Sequence, residues 1–145
     1  MDAIWLNRFE ADYSALREIL NRMKRGGLMV IAPEGTRSKT EAMQEGKMGV
    51  AFLASKSGYP VVPIALTGTE DRVIADNIKH FRRSKIKAIS GNAFFIEIPN
   101  GRGREQALRT ATDELMCRIA ALLPERYRGH YKDFPRVKEL LGQSN

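Results

Sequence analysis

An apolar run passes directly into a polar loop in the stretch Leu28-Met29-Val30-Ile31-Ala32-Pro33-Glu34-Gly35-Thr36-Arg37-Ser38. Five consecutive apolar residues are typical of a short strand that is buried on both faces. Gly35 lets the backbone approach a ligand closely, and the planar guanidinium of Arg37 can hold a phosphate through two parallel hydrogen bonds. The stretch therefore predicts a phosphate-binding loop at the carboxyl end of a strand, where ligand sites of α/β sheets lie, with Glu34 orienting Arg37. An ordinary connecting loop with a surface ion pair remains the alternative.

Strands and helices alternate on both sides of this stretch. Apolar spacing predicts helices over 12–25, 47–57 and 108–122 and a short helix at 137–141. Apolar runs predict strands at 3–6, 28–32, 61–66, 86–89 and 94–98, with a hairpin-like turn at Gly91-Asn92 between the last two. Residues 67–84 are less periodic. This order predicts a single α/β domain over residues 1–145, with a mainly parallel central sheet flanked by helices.

The composition describes an ordinary globular domain with a basic surface. The chain holds 24 Lys and Arg against 17 Asp and Glu, a net charge of +7, which favours phosphates, nucleic acid or an anionic membrane surface as partners. No apolar run approaches the roughly 20 residues that a membrane crossing needs, and the acidic Asp2 argues against a signal peptide. One cysteine, Cys117, and two histidines exclude a disulfide framework and a structural zinc site.

Three ordered blocks carry a family resemblance. Pro33 to Ser38 resembles the signature of the lysophosphatidate and glycerolphosphate acyltransferase family, Phe-Pro-Glu-Gly-Thr-Arg-Ser, with Ala32 in the place of Phe. Ile4 to Arg8 resembles the family's preceding block, and Tyr59 to Thr69, built around Val-Pro-Ile and closed by Gly-Thr, resembles its following block. Lys47-Met48-Gly49 is similar to the family's Lys-x-Gly. The resemblance covers residues 3–70 well and the remainder more loosely.

The resemblance implies an α/β acyltransferase of phospholipid biosynthesis. Its reaction would move an acyl chain from acyl-CoA or acyl carrier protein to the hydroxyl of lysophosphatidate or glycerol phosphate, without a metal or another cofactor. Arg8 and Arg37 would bind the acceptor phosphate, and Lys47 would support them. The resemblance assigns the shape of the loop to Glu34, Gly35, Thr36 and Ser38. We also expect a peripheral position on the cytoplasmic side of a membrane.

The family's general base, the histidine of a His, four residues, Asp motif, has no match in this sequence. His80 is followed five places later by Lys85 and His130 by Pro135, and neither precedes Arg8. We therefore expect the chain to hold the phosphate-binding part of an acyltransferase domain, incomplete at the N-terminus, and to be inactive in transfer by itself.

A basic run leaves other functions open. Residues 79–87 place five Lys and Arg among nine residues, which suits an anionic lipid surface or a solvated loop equally. A non-catalytic phosphate- or lipid-binding module is the first alternative to the enzyme. A basic nucleic-acid-binding domain is the second, although no recognition motif supports it and we expect no nucleic-acid partner.

Overall fold

The structure, a computed structural model, describes residues 13–143 as helices packed around a small sheet. Two short 3₁₀ turns, Glu125–Tyr127 and Gly129–Tyr131, precede the last helix. The elements of the described residues are α1 (Tyr13–Lys24), α2 (Gly49–Ser57), β1 (Ile64–Thr67), α3 (Asp71–Lys79), β2 (Lys87–Ser90), α4 (Arg104–Leu122) and α5 (Pro135–Gly142).

Local signals account for most of the helices. Helix α1 stops where Gly26 takes a φ of 89°, and α2 stops at Gly58, whose φ is 66° and whose N–H donates to the Ala54 oxygen at 3.2 Å. Helix α4 ends two residues before Pro124, as predicted. The prediction missed α3, because no glycine or proline follows Lys79 to mark the end of this helix.

The sheet is one antiparallel ladder with a bulge. β1 pairs with β2 so that Ile64 faces Ser90 and Thr67 faces Lys87, and Val61 forms a separate bridge with Phe94. Between these two paired positions, two residues on the β1 side (62 and 63) lie opposite three residues on the β2 side (91 to 93). The β2 side therefore carries one extra residue, which forms a β-bulge. The predicted hairpin at Gly91-Asn92 is therefore wrong: Gly91 sits within the ladder and donates its N–H to the Pro63 oxygen at 2.9 Å.

No strand forms at residues 28–32, which corrects the buried strand expected there. Leu28 is 92% exposed and Val30 is 83% exposed. A strand exists through hydrogen bonds to a neighbouring strand, and in the described part of the chain pairing is confined to β1 with β2 and the single bridge of Val61 with Phe94. The neighbour expected from the sequence, residues 3–6, lies outside the described residues. The mainly parallel central sheet stays a prediction.

The core is built on α4. Its buried residues Leu115, Met116, Cys117 and Ala120 face β1, α2 and the C-terminal elements. Ala65 of β1 and the C-terminal Tyr131 and Val137 close this core from the other side. Complete burial of a side chain such as Val137, Leu115 or Met116 contributes about 1.5 to 3 kcal/mol to the free energy of unfolding. Helix α4 therefore serves as the platform for the loop described next.

Candidate functional site

A tight turn shapes the beginning of the signature loop, which we define as residues 33–47. The N–H of Gly35 donates to the Ala32 oxygen at 3.0 Å, and Gly35 has a φ of 71°, a backbone region that favours glycine. The N–H of Lys47 donates to the Pro33 oxygen at 2.8 Å, so the two ends of the loop meet. A Cβ on Gly35 would lie 3.7 Å from Cγ of Lys47. The fold thus places the Lys47 stem against Gly35.

Arg37 presents one edge of its guanidinium to the protein and leaves the other open. Its Nη1 donates to both carboxylate oxygens of Asp71, at 3.0 and 3.2 Å, and the side chain is 86% exposed. Among residues 13–143, no protein group bonds Nε or Nη2. These two N–H groups form the edge of a guanidinium that suits bidentate contact with a phosphate.

Asp71, and not Glu34, orients Arg37, which corrects the sequence-based expectation. Glu34 Oε2 instead accepts the backbone N–H of Gln44 at 3.1 Å, a bond that crosses the loop. Partial burial raises the pKa of Glu34, and the hydrogen bond from Gln44 opposes that shift. Glu34 therefore acts on the shape of the loop.

Ser38 is also occupied within the loop. Its Oγ donates to the Ala42 oxygen at 2.6 Å and accepts the N–H groups of Thr40 and Ala42, each at 3.2 Å. A hydroxyl has one proton, and here that proton is used inside the loop. Thr36 is exposed beside Arg37.

Two further cations, Lys47 and Arg8, are predicted from the sequence to bind the phosphate. Lys47 is exposed and forms no ion pair with any residue the structure describes. Arg8 lies outside the described residues.

Tyr131 anchors the far end of the signature loop, a role that the sequence did not indicate. Its buried hydroxyl accepts the Gly46 N–H at 3.0 Å and donates to Asp113 Oδ1 at 3.1 Å. Arg109 completes this group by donating to the Gly46 oxygen at 3.0 Å and to Asp113 Oδ1 at 2.8 Å. Burial raises the pKa of Tyr131 to about 12, so the hydroxyl keeps its proton and can donate.

The first C-terminal turns add a second anchor. Met43 donates its N–H to the Tyr127 oxygen at 2.8 Å and accepts the His130 N–H at 2.9 Å. The approach is close, since a Cβ on Gly129 would stand 2.1 Å from the Met43 oxygen. No local pattern could have revealed these contacts, because 84 or more residues separate Met43 and Gly46 from their partners at the end of the chain.

Both histidines have structural surroundings. His80 Nδ1 lies 3.3 Å from Asp76 Oδ1 at the end of α3, and the His130 ring packs at 4.9 Å from Tyr131 and 5.6 Å from Phe134, between ring centroids. Over residues 13–143, no three His, Cys, Asp or Glu side chains are grouped to hold a metal ion.

Comparison with known proteins matches the part of the chain that contains the signature loop. A sequence model of the family described as "Acyltransferase" matches residues 1–67. The first 67 residues, just under half of the chain, therefore match the acyltransferase family. The family predicted from the three sequence blocks is thereby confirmed over that part of the chain.

Named acyltransferases resemble the chain over a similar length. It is 37% identical over 71 residues to "1-acyl-sn-glycerol-3-phosphate acyltransferase BAT2, chloroplastic" of Brassica napus, covering 48% of this chain and 21% of the relative. It is 35% identical over 71 residues to the LPAT1 acyltransferase of the same description from Arabidopsis thaliana, covering 48% and 20%. A 1-acyl-sn-glycerol-3-phosphate acyltransferase of Cocos nucifera is 37% identical over 60 residues, covering 41% and 20%.

The matched region is about a fifth of the length of these acyltransferases. No solved structure matches the chain significantly. In the described residues, every helix is too short or too polar to span a bilayer.

Proposed function

We propose that the chain binds the phosphate of lysophosphatidate as the acceptor-binding part of an acyltransferase in phospholipid biosynthesis. The observation that carries the proposal is the open Nε and Nη2 edge of Arg37, held outward by Asp71 within an acyltransferase signature loop. Lys47, placed against Gly35, adds a second positive charge to the same loop. The relatives are named for 1-acyl-sn-glycerol-3-phosphate, which carries the phosphate monoester that such a fork recognises. Glycerol phosphate offers the same group.

The proposed donor is an acyl thioester on coenzyme A or acyl carrier protein, and no metal or redox cofactor takes part. Transfer needs a general base to remove the proton of the acceptor hydroxyl, and a well-placed base contributes about 10²- to 10⁴-fold. Neither histidine of these 145 residues is followed by an aspartate at the family's spacing. We therefore expect phosphate binding by this chain with negligible transfer.

The lack of a His, four residues, Asp motif in these 145 residues also favours a second candidate function, a non-catalytic module that binds phosphorylated lipids. The two candidates share the Arg37 site and differ in whether a base completes it. The in-frame DNA upstream of Met1 distinguishes them: a His, four residues, Asp motif there, with transfer restored on its inclusion and lost again on His→Ala, supports the enzyme.

The binding step is tested by comparing lysophosphatidate with lysophosphatidylcholine of the same acyl chain. Lysophosphatidylcholine has the phosphate esterified to choline, so it lacks the doubly charged monoester. We expect the chain to prefer lysophosphatidate and Arg37→Ala to abolish that preference, while Arg102→Ala, an exposed arginine in a different loop, keeps it. Equal binding of both lipids by the unchanged chain would contradict the proposal. Efficient transfer by these 145 residues would contradict our account of the missing base.

A further inference from the structure

The C-terminal end of α3 carries a closed turn that holds an aromatic ring in solvent. The Arg82 N–H donates to the Asn77 oxygen at 2.7 Å, and Asn77 Nδ2 donates to Ser84 Oγ at 3.2 Å. Phe81, between these bonds, is 100% exposed. The turn is held by hydrogen bonds, whereas no residue that the structure describes packs on the Phe81 ring.

The backbone of Phe81 is unusual for such a residue. Its φ is 52°, a region in which a side chain with a Cβ is disfavoured and a bulky one is an outlier. Glycine or asparagine would satisfy the same turn at lower cost. A costly conformation that exposes a large apolar ring points to a functional role for the ring.

Positive charge surrounds this ring. The chain has no Asp or Glu between Asp76 and Glu97. The basic residues on either side of the ring, all exposed and without an ion pair to any described residue, are Lys79, Arg82, Arg83, Lys85 and Lys87. Ile78, 69% exposed, and Ile86, 58% exposed, extend the apolar surface on both sides of Phe81.

We propose that this docking turn, residues 78–87, binds an anionic bilayer surface. Phe81 and Ile78 would enter the boundary between headgroups and acyl chains, while the basic side chains stay at the level of the headgroups. Each basic residue near such a surface multiplies the partition coefficient about fivefold, and salt screens this attraction. Phosphate groups of a nucleic acid could attract the same cations, and Phe81 could stack on a base. The two exposed isoleucines beside it, Ile78 and Ile86, favour hydrocarbon, because branched aliphatic side chains cannot stack on bases.

The docking turn has a geometric relation to the candidate site. Helix α3 begins at Asp71, which holds Arg37, and ends at Lys79, within the docking turn. Eight helical steps separate these residues by about 12 Å. The helix would thus set the distance between the phosphate site and the bilayer surface. This consequence rests on the proposed function, whereas the docking itself does not depend on it.

Vesicle co-sedimentation of the 145-residue chain tests the docking turn. Vesicles of phosphatidylcholine alone are compared with vesicles containing 30% phosphatidylglycerol, at low and high NaCl. We expect binding to the anionic vesicles only, reduced by salt. Arg82→Gln/Arg83→Gln/Lys85→Gln should lower the partition coefficient on the order of 100-fold at low salt, and Phe81→Ala should lower it about tenfold at both salt concentrations.

Matched variants separate a local effect from net charge and general apolarity. Lys56→Gln/Arg102→Gln/Lys138→Gln removes the same three charges from other exposed positions, and Phe95→Ala removes a 64% exposed aromatic ring elsewhere. Both should bind nearly as well as the unchanged chain, and circular dichroism checks that all variants fold. Equal losses in the docking-turn and control variants would overturn the proposal. So would an absence of vesicle binding, and salt-sensitive binding of a duplex oligonucleotide in that case would assign the basic run to nucleic acid. Because vesicle binding is measured without an acceptor, its failure leaves the Arg37 test unaffected.

Discussion

The guanidinium of Arg37 uses its two edges differently. One N–H group is held by Asp71, while Nε and Nη2 face outward. The pair with Asp71 is exposed on both sides, so it contributes at most about 1 kcal/mol to stability, and its effect is on orientation.

Arg37→Lys tests whether the shape of the fork matters in addition to its charge. Lysine keeps the positive charge but cannot contact two phosphate oxygens in one plane, so lysophosphatidate binding should weaken by about 1 to 3 kcal/mol. Arg37→Ala should weaken it further. Titration calorimetry or a lipid-binding assay measures both variants, and an unchanged affinity in the lysine variant would remove bidentate contact from the account.

Tyr131→Phe tests the anchor of the signature loop. The variant removes a hydroxyl that serves Gly46 and Asp113. The loss should destabilise the fold by about 1 to 3 kcal/mol, because the buried N–H of Gly46 and the partly buried carboxylate of Asp113 each lose a hydrogen bond. Urea unfolding measures the change. Tyr59→Phe is the control, since Tyr59 is 41% exposed and its change should stay within about 0.5 kcal/mol. Equal effects of the two substitutions would contradict the anchor.

At the scale of elements, α3 joins the two regions with proposed roles. Its first turn meets the signature loop through Asp71 and through Arg72, whose Nε lies 3.7 Å from Glu41 Oε1. Its last two residues, Ile78 and Lys79, belong to the docking turn. The two ends of the segment between β1 and β2 also meet closely, at Gly68 and Lys85, and we expect the stability of this segment to depend on that contact.

Gly68→Ala tests that approach. Gly68 has a φ of 80°, and a Cβ there would stand 2.0 Å from the Lys85 oxygen, a backbone atom that cannot move alone. We expect a loss of more than about 3 kcal/mol in urea unfolding, since backbone strain and a clash add. Gly26→Ala has a similar φ of 89°, but no described atom lies within 4 Å of the added Cβ, so it should cost only about 1 to 2 kcal/mol. Similar losses in both variants would show that close approach is unimportant.

At the scale of the whole molecule, a charged contact joins the last helix to the core. Glu114 of α4 accepts from Arg136 Nε of α5 at 2.8 Å and from Arg118 Nε at 2.7 Å. These bonds, that from Arg136 foremost, lower the pKa of Glu114 against the opposing effect of burial. A lowered pKa in the folded state means that the contribution is present above the unfolded pKa of about 4.3 and is lost as the pH falls through the folded value.

Glu114→Gln should therefore reduce stability at neutral pH and flatten the acid dependence below about pH 4.3. Urea unfolding of the variant and the unchanged chain from pH 3 to pH 7 measures this difference. Glu105→Gln, at an exposed position, should leave the acid dependence unchanged. An equal acid slope in the chain and in Glu114→Gln would contradict the assignment. Glu34 acts in the opposite sense, because burial raises its pKa.

Local sequence patterns are sufficient to predict features that depend on interactions between residues close together in the chain. Helical spacing with glycine and proline stops predicts α1, α2 and α4, and three ordered sequence blocks, Pro33 to Ser38 foremost, indicate the family. Such signals rest on neighbours within a few residues, which a single sequence displays directly.

Long-range contacts required the folded chain. The run at 28–32 has the composition of a buried strand, yet a strand needs a neighbour to bond, and none within residues 13–143 pairs with it. Gly91-Asn92 fits a hairpin turn and a bulge alike, and the partner strand decided between them. Asp71 and Tyr131 bond to residues of the signature loop that are 34 and 85 positions away in the sequence. Helix and strand periodicities relate residues only a few positions apart, so they cannot predict such contacts. Residue type and spacing specify what a loop can bind, whereas the packing of distant elements decides which edge of Arg37 is open to bind it.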